Sequence, residues 1–194
     1  LVKSINLKID EQMEEKTLYT VTIFSENRVG LLNQISIIYT RRKLNIESLS
    51  VSPSSIKGIH KFTITSYSDR ETIEKLVKQV EKRIGVLKSF FYTDDEIIYQ
   101  EIALYKVPTE KLIEEQDLEK IIRKYNARIL EMSRDYTILE KTGHPEETEA
   151  LFEDLKRHDI RQFVRSGRVA VTKDINEYVS MFIEERMRAK EEIL

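Results

Sequence analysis

The chain has 194 residues, room for two domains of about 75 to 100 residues each. Lys plus Arg total 32 against 34 Asp plus Glu, so the formal net charge of −2 argues against a basic nucleic-acid footprint, while 40 % hydrophobic residues suffice for packed cores. With no cysteine, five widely spaced glycines and three scattered histidines, the composition excludes disulfides, cysteine-ligated zinc, iron–sulfur clusters, a cysteine nucleophile, glycine-rich phosphate cradles and an HExxH zinc helix. No stretch approaches the roughly 18 apolar residues of a membrane helix, and the start of the chain offers no cleavable apolar segment. A cysteine-free chain of this kind is expected in a reducing cytoplasm.

Leu1, Ile5, Leu7 and Ile9 alternate like an extra edge strand. Residues 17–26, TLYTVTIFSE, form the first full strand, broken by Asn27-Arg28-Val29-Gly30. From Leu31 the period becomes helical (Leu31, Leu32, Ile35, Ile38, Tyr39), ending near the cations Arg41, Arg42 and Lys43. Residues 45–51 read as a second strand, Ser52 to Gly58 as a turn cluster, and Ile59 to Tyr67 as a third strand. Asp69 caps a helix whose stripe is Ile73, Leu76, Val77, Val80 and Ile84; Gly85 stops it, and Val86 to Tyr92 is the fourth strand. The order βαββαβ is that of a ferredoxin-like sandwich.

After the acidic hinge Thr93 to Glu96 the pattern starts again. A strand over 97–107, a helix over 112–125 with Leu112, Ile113, Leu118, Ile121, Ile122 and Tyr125 inward, strands over 127–132 and 136–141, a helix around Leu151, Phe152 and Leu155, and a strand over 160–171 interrupted by Gly167 repeat the same order. The fold class is therefore α+β, two consecutive ferredoxin-like βαββαβ domains. They are expected at residues 1–94 (core 17–93) and 95–174, with an amphipathic helix over 175–194 that docks on its own domain or on a partner.

The turn Asn27 to Leu32 is the strongest candidate for chemistry. A helix N-terminus offers unpaired N–H groups and partial positive charge, Gly30 lets a ligand approach, and the Asn27 amide both donates and accepts. An ordinary N-cap asparagine followed by a turn glycine is the competing reading. Arg28 is the only cation in the neighbouring sequence, which favours a small amphoteric ligand over a polyanion. The run Lys57-Gly58-Ile59-His60-Lys61-Phe62 begins like an RNA-recognition strand, but Ile59 and Lys61 stand at the stacking positions and Phe62 has the wrong parity. The carboxylates Glu110, Glu114, Glu115 and Glu119 read as a solvated helix face, and His60 and His144 lack sequence-local partners. No catalytic residue and no metal site is expected; the pattern is that of a binding or regulatory protein.

Asn27-Arg28-Val29-Gly30-Leu31-Leu32 followed by Asn45-Ile46-Glu47-Ser48-Leu49-Ser50-Val51-Ser52-Pro53 resembles the opening ACT domain of the acetolactate synthase (acetohydroxyacid synthase) small, regulatory subunits. Glu101 to Val107 and Arg165 to Val171 are similar to that family's two signature strands in the second domain. The sequence departs from the family where Asn33 and Gln34 follow Leu32, where Gln100 precedes Glu101, and in the segments before His144 and after Ile175.

The resemblance implies a non-catalytic subunit without a cofactor of its own, paired through its ACT domains into a homodimer. It would stimulate a large catalytic subunit that carries thiamine diphosphate, magnesium and FAD, and confer feedback inhibition by valine. It implies that Asn27, Gly30, Leu31 and Leu32 hold one side of the effector, and that Asn45 and Ile46 of a second copy close the other. Arg165, Ser166 and Gly167 are candidates for touching the catalytic subunit, or merely complete the second sheet. A stand-alone amino-acid-sensing ACT protein controlling another enzyme or a transcription factor is the alternative; neither reading involves nucleic acid contact by this chain or a membrane.

Overall fold

The first strand, β1 (Thr17–Glu26), is the centre of a four-stranded antiparallel sheet ordered β2-β3-β1-β4, with β2 (Ser48–Pro53), β3 (Ile59–Ser68) and β4 (Val86–Tyr92). Residues 16–114, 118–175 and 182 of the chain are described in this computed structural model. The expected strand over 1–9 and most of the expected helix over 175–194 lie outside the described residues.

Helices α1 (Leu31–Arg41) and α2 (Arg70–Glu81) cover one face of this sheet. The alternating residues Tyr19, Val21 and Ile23 of β1 meet Leu31, Ile35 and Ile38 of α1 and Ile73, Leu76 and Val80 of α2 in one buried core. Each such aliphatic side chain contributes roughly 1.5–3 kcal/mol on burial. Asp69 caps α2, accepting from the Thr72 N–H at 2.8 Å, and this bond holds its carboxyl below the usual carboxylate range. Tyr39 lies fully inside, its hydroxyl without a partner among the described residues, and burial pushes its ionisation far up.

Three sequence expectations are corrected here. The second strand begins at Ser48 and runs through Pro53, whereas residues 45–51 were expected. A proline is tolerated there because β2 is an edge strand. Ile84 is 78 % exposed and belongs to no apolar stripe, because α2 ends at Glu81 and the backbone has turned before Gly85. The stretch expected as one helix over 112–125 is described as α3 (Thr109–Glu114) and α4 (Leu118–Tyr125), with Ile113 exposed while Leu112 and Ile121 are buried.

The second sheet has the order β6-β7-β5-β8 with β5 (Ile97–Pro108), β6 (Arg128–Met132), β7 (Tyr136–Gly143) and β8 (Gln162–Arg165); β9 (Val169–Thr172) also pairs β5. Together with α5 (Pro145–Leu155) these strands bury Ala103, Tyr105, Val107, Leu112, Leu139, Leu151 and Leu155. Both sheets thus share one strand order, as the repeated βαββαβ pattern requires. By packing, the chain forms one compact unit running to Ile98 and resuming at Ala170, and a second over Tyr99–Val169.

Candidate functional site

At the end of β1 the register against β4 shifts between Phe24 and Ser25, a bulge of the kind that re-aims a strand beside a site. The Glu26 N–H donates to the Gly85 carbonyl at 2.8 Å, fixing where the turn to α1 begins. Gly30 occupies the N-cap position with φ 82°, a left-handed conformation that a Cβ would strain. Among the described residues no side chain caps α1, and no acidic residue lies in its first turn. Gly30, not Asn27, is therefore the N-cap of α1.

Antiparallel pairing brings three further side chains to the turn. Phe62 stands opposite both Ile23 and Val51, and His60 opposite Ser25 and Pro53. Phe62 packs on the helix-covered face, as its parity requires, and so cannot serve as a base-stacking platform on the other. A cavity of about 200 Å³ results. Glu26, Asn27, Arg28 and His60 form its polar side, and Leu32, Val51 and Phe62 its apolar wall, with Gly30 at the edge. One carboxylate, one guanidinium and one amide beside an apolar wall match a zwitterion bearing a small hydrocarbon side chain.

Of the residues singled out in the sequence, Asn27, Gly30 and Leu32 line this cavity. Leu31 is turned into the core at 2 % exposure and borders a second cavity on the other side of the same turn. Asn45 is exposed, with its carbonyl accepting from Ser66 Oγ at 2.6 Å, and Ile46 packs against the core. Both precede β2, and about 16 Å of extended chain separates Ile46 from Val51. A single copy does not bring Asn45 and Ile46 to the cavity. Glu26, Val51, His60 and Phe62 were not foreseen; Glu26 adjoins Asn27 in sequence, and sheet register is the signal for the other three.

In the second unit, Arg165 Nε donates to Glu101 Oε1 at 2.6 Å, and Thr148 Oγ1 donates to the same oxygen. Tyr105 donates to the Thr148 carbonyl at 2.6 Å. Ser166 Oγ accepts the Ile102 N–H at 3.0 Å and donates to the Gly167 carbonyl at 2.7 Å. Arg165, Ser166 and Gly167 thus close β8 onto β5. His144 precedes α5, where its N–H donates to Glu147 Oε2 at 2.8 Å and holds that carboxyl below its ordinary range. Among the described residues, no three His, Cys, Asp or Glu side chains gather as metal ligands and no helix is long and apolar enough to cross a membrane.

A βαββαβ unit with a ligand-sized cavity at the glycine turn between its first strand and helix, followed by a second unit of the same plan, defines an ACT-type protein with a ferredoxin-like companion domain. Residues 21–88 match the family of ACT domains like those of the acetohydroxyacid synthase small subunit, and residues 100–174 match the family described as the small subunit of acetolactate synthase. The acetolactate synthase small subunit of Bacillus subtilis is 32 % identical over 166 residues, covering 85 % of this chain and 95 % of that one. That of Mycolicibacterium smegmatis is 30 % identical over 155 residues, 80 % and 91 % of the two chains. The crystal structure of the Thermotoga maritima small subunit superposes with a TM-score of 0.74 at 25 % identity, covering 82 % of this chain and 99 % of that one. The chain belongs to the acetolactate synthase small-subunit family.

Proposed function

We propose that this chain is a regulatory subunit that senses a branched-chain amino acid at the Asn27–Leu32 turn, stimulates a large acetolactate synthase subunit and withdraws that stimulation when valine binds. The observation that carries the reading is the 200 Å³ cavity, with Glu26, Asn27 and Arg28 set against Leu32, Val51 and Phe62. Glu26 would face the ammonium group, and Arg28 with the uncapped first turn of α1 the carboxylate. The apolar wall would take the isopropyl group. Within this reading two copies pair through their first units, and Asn45 and Ile46 of the second copy complete the site. The edge strand β2 is suited to that pairing, since Ser48–Pro53 pairs only β3 among the described residues. The thiamine-diphosphate chemistry, with magnesium and FAD, is then the large subunit's; this chain contributes activation and ligand response. Arg165 to Gly167, hydrogen-bonded to β5, would offer the large subunit a contact in such a complex.

Titrating the purified chain into the large subunit should raise acetolactate formation, and valine should lower it again. No stimulation at a saturating subunit ratio overturns the proposal. Asn27→Ala should abolish the valine effect while leaving stimulation in place; undiminished valine sensitivity would put the ligand elsewhere.

A further inference from the structure

The turn between β1 and α1 has a second side. Behind Leu31 lies a cavity of about 300 Å³ whose polar lining is Arg28, Gln34, Lys82 and Arg83. Val29, Leu31 and Ile84 supply the rest, and among the described residues no carboxylate borders it. In the sequence Arg28 stands as the lone cation near the turn; folding brings Lys82 and Arg83 to it from the end of α2, 54 and 55 residues away. Among the described residues none of the three forms an ion pair, whereas Arg70, Lys75 and Lys88 of the same unit each pair with a glutamate. Arg83 Nε is buried and bonds to nothing among the described residues.

We infer that this cavity is a binding site for a small oxyanion of the phosphate class, an orthophosphate or diphosphate group, adjoining the proposed amino-acid cavity and sharing Arg28 with it. Three formal positive charges without an ion-pair partner among the described residues exceed what one carboxylate neutralises, and they match a multiply charged oxyanion. Two guanidinium groups offer the planar donor pairs that bind phosphate oxygens bidentately, and the amide of Gln34 adds another donor. The cavity is sized for a small ligand rather than for a nucleic-acid strand. Arg28 borders both cavities, and its Cδ lies 2.7 Å from where a Cβ on Gly85 would stand, so Gly85 keeps open the path by which Arg28 reaches this side. The competing role for Lys82 and Arg83, cations complementing the C-terminal end of α2, requires no ligand.

Calorimetric titration of the full chain with sodium diphosphate and, separately, with sodium orthophosphate, at ionic strength held constant with chloride, decides between the two. Saturable binding to one site per chain is expected, tighter for diphosphate. Arg83→Gln should weaken it by about tenfold or more, Arg83→Lys less, and Lys75→Gln on the outer face of α2 not at all. Absence of saturable binding by the folded chain overturns the inference. So does equal weakening by Arg83→Gln and Lys75→Gln, or an Arg83→Gln chain that loses thermal stability while binding diphosphate as before. The readout needs neither valine nor a catalytic subunit, so its failure is separable from failure of the proposed function.

Discussion

Gly30→Ala separates the folding role of the turn from its proposed ligand role. Gly30 has φ 82°, and a Cβ placed there meets nothing within 4 Å. The cost to the fold is therefore conformational strain alone. A left-handed residue with a Cβ costs about 1–2 kcal/mol, and loss of glycine's freedom in the unfolded chain returns about 0.5 kcal/mol, for a net cost near 1 kcal/mol. That corresponds to a fall of roughly 4–8 °C in the midpoint of a unit of about 100 residues. Gly58 provides the control: it has the same φ of 82° and equally open surroundings, but it lines neither cavity. Scanning calorimetry should find the two alanine variants destabilised by similar amounts. Calorimetric titration with valine should find Gly58→Ala unchanged and Gly30→Ala weakened by at least about tenfold, equivalent to 1.4 kcal/mol or more. Equal valine affinity in the two variants would refute the placement of the amino acid at this turn. Unequal loss of stability would refute the strain argument.

Tyr39→Phe should leave stability unchanged or raise it by about 1 kcal/mol in urea unfolding, because it removes a buried hydroxyl that bonds to nothing among the described residues. Glu101→Ala should cost the second unit about 2–3 kcal/mol, below the full price of breaking a buried ion pair because a third of the Arg165 side chain is already exposed. A double-mutant cycle with Arg165→Ala checks it, and the two losses should be far from additive. Glu147 is held below its ordinary carboxyl range mainly by the His144 N–H. Its contribution is complete above the unfolded-state value of about 4.3 and is lost as pH falls through the lower folded-state value. The stability difference between the natural chain and Glu147→Gln should therefore shrink progressively in unfolding experiments carried below that pH.

Much of the fold was legible because each unit's pattern is local. The alternation of β1, the helical stripe from Leu31 and the Asp69 cap each depend on neighbours in sequence, and the element order then selects the sandwich. The site was legible only along the chain. Asn27, Gly30 and Leu32 announce a strand-to-helix turn, but Val51, His60 and Phe62 reach it through strand register, and Lys82 and Arg83 through the antiparallel packing of α1 on α2. Ile84 shows the limit of periodicity: its spacing continues the α2 stripe, yet the helix ends three residues earlier and the side chain is exposed at the rim of the second cavity. Ile113 fails in the same way, since spacing alone could not say that α3 would bury Leu112 and leave its neighbour exposed.

The position of the proposed amino-acid cavity bears on how strong a response it can transmit. In the proposed pair of copies, each site is closed by the neighbour, so a ligand acts only through the difference in its affinity for two subunit arrangements. Shifting that equilibrium a hundredfold takes about 2.7 kcal/mol, or about 1.4 kcal/mol from each of two sites. Burial of one isopropyl group against Leu32, Val51 and Phe62 in one arrangement and not in the other is of that size, since each buried methylene is worth about 0.8 kcal/mol. The same arithmetic limits selectivity: a cavity reading one extra methylene distinguishes leucine from valine by only about 1–3 kcal/mol. In the proposed site, discrimination would have to come from the size of the apolar wall, since the polar groups at Glu26 to Arg28 would secure any α-amino acid. Enlarging that wall with Val51→Ala should move the preference from valine towards leucine in competition titrations, and an unchanged preference would show that Val51 does not bound the side-chain pocket.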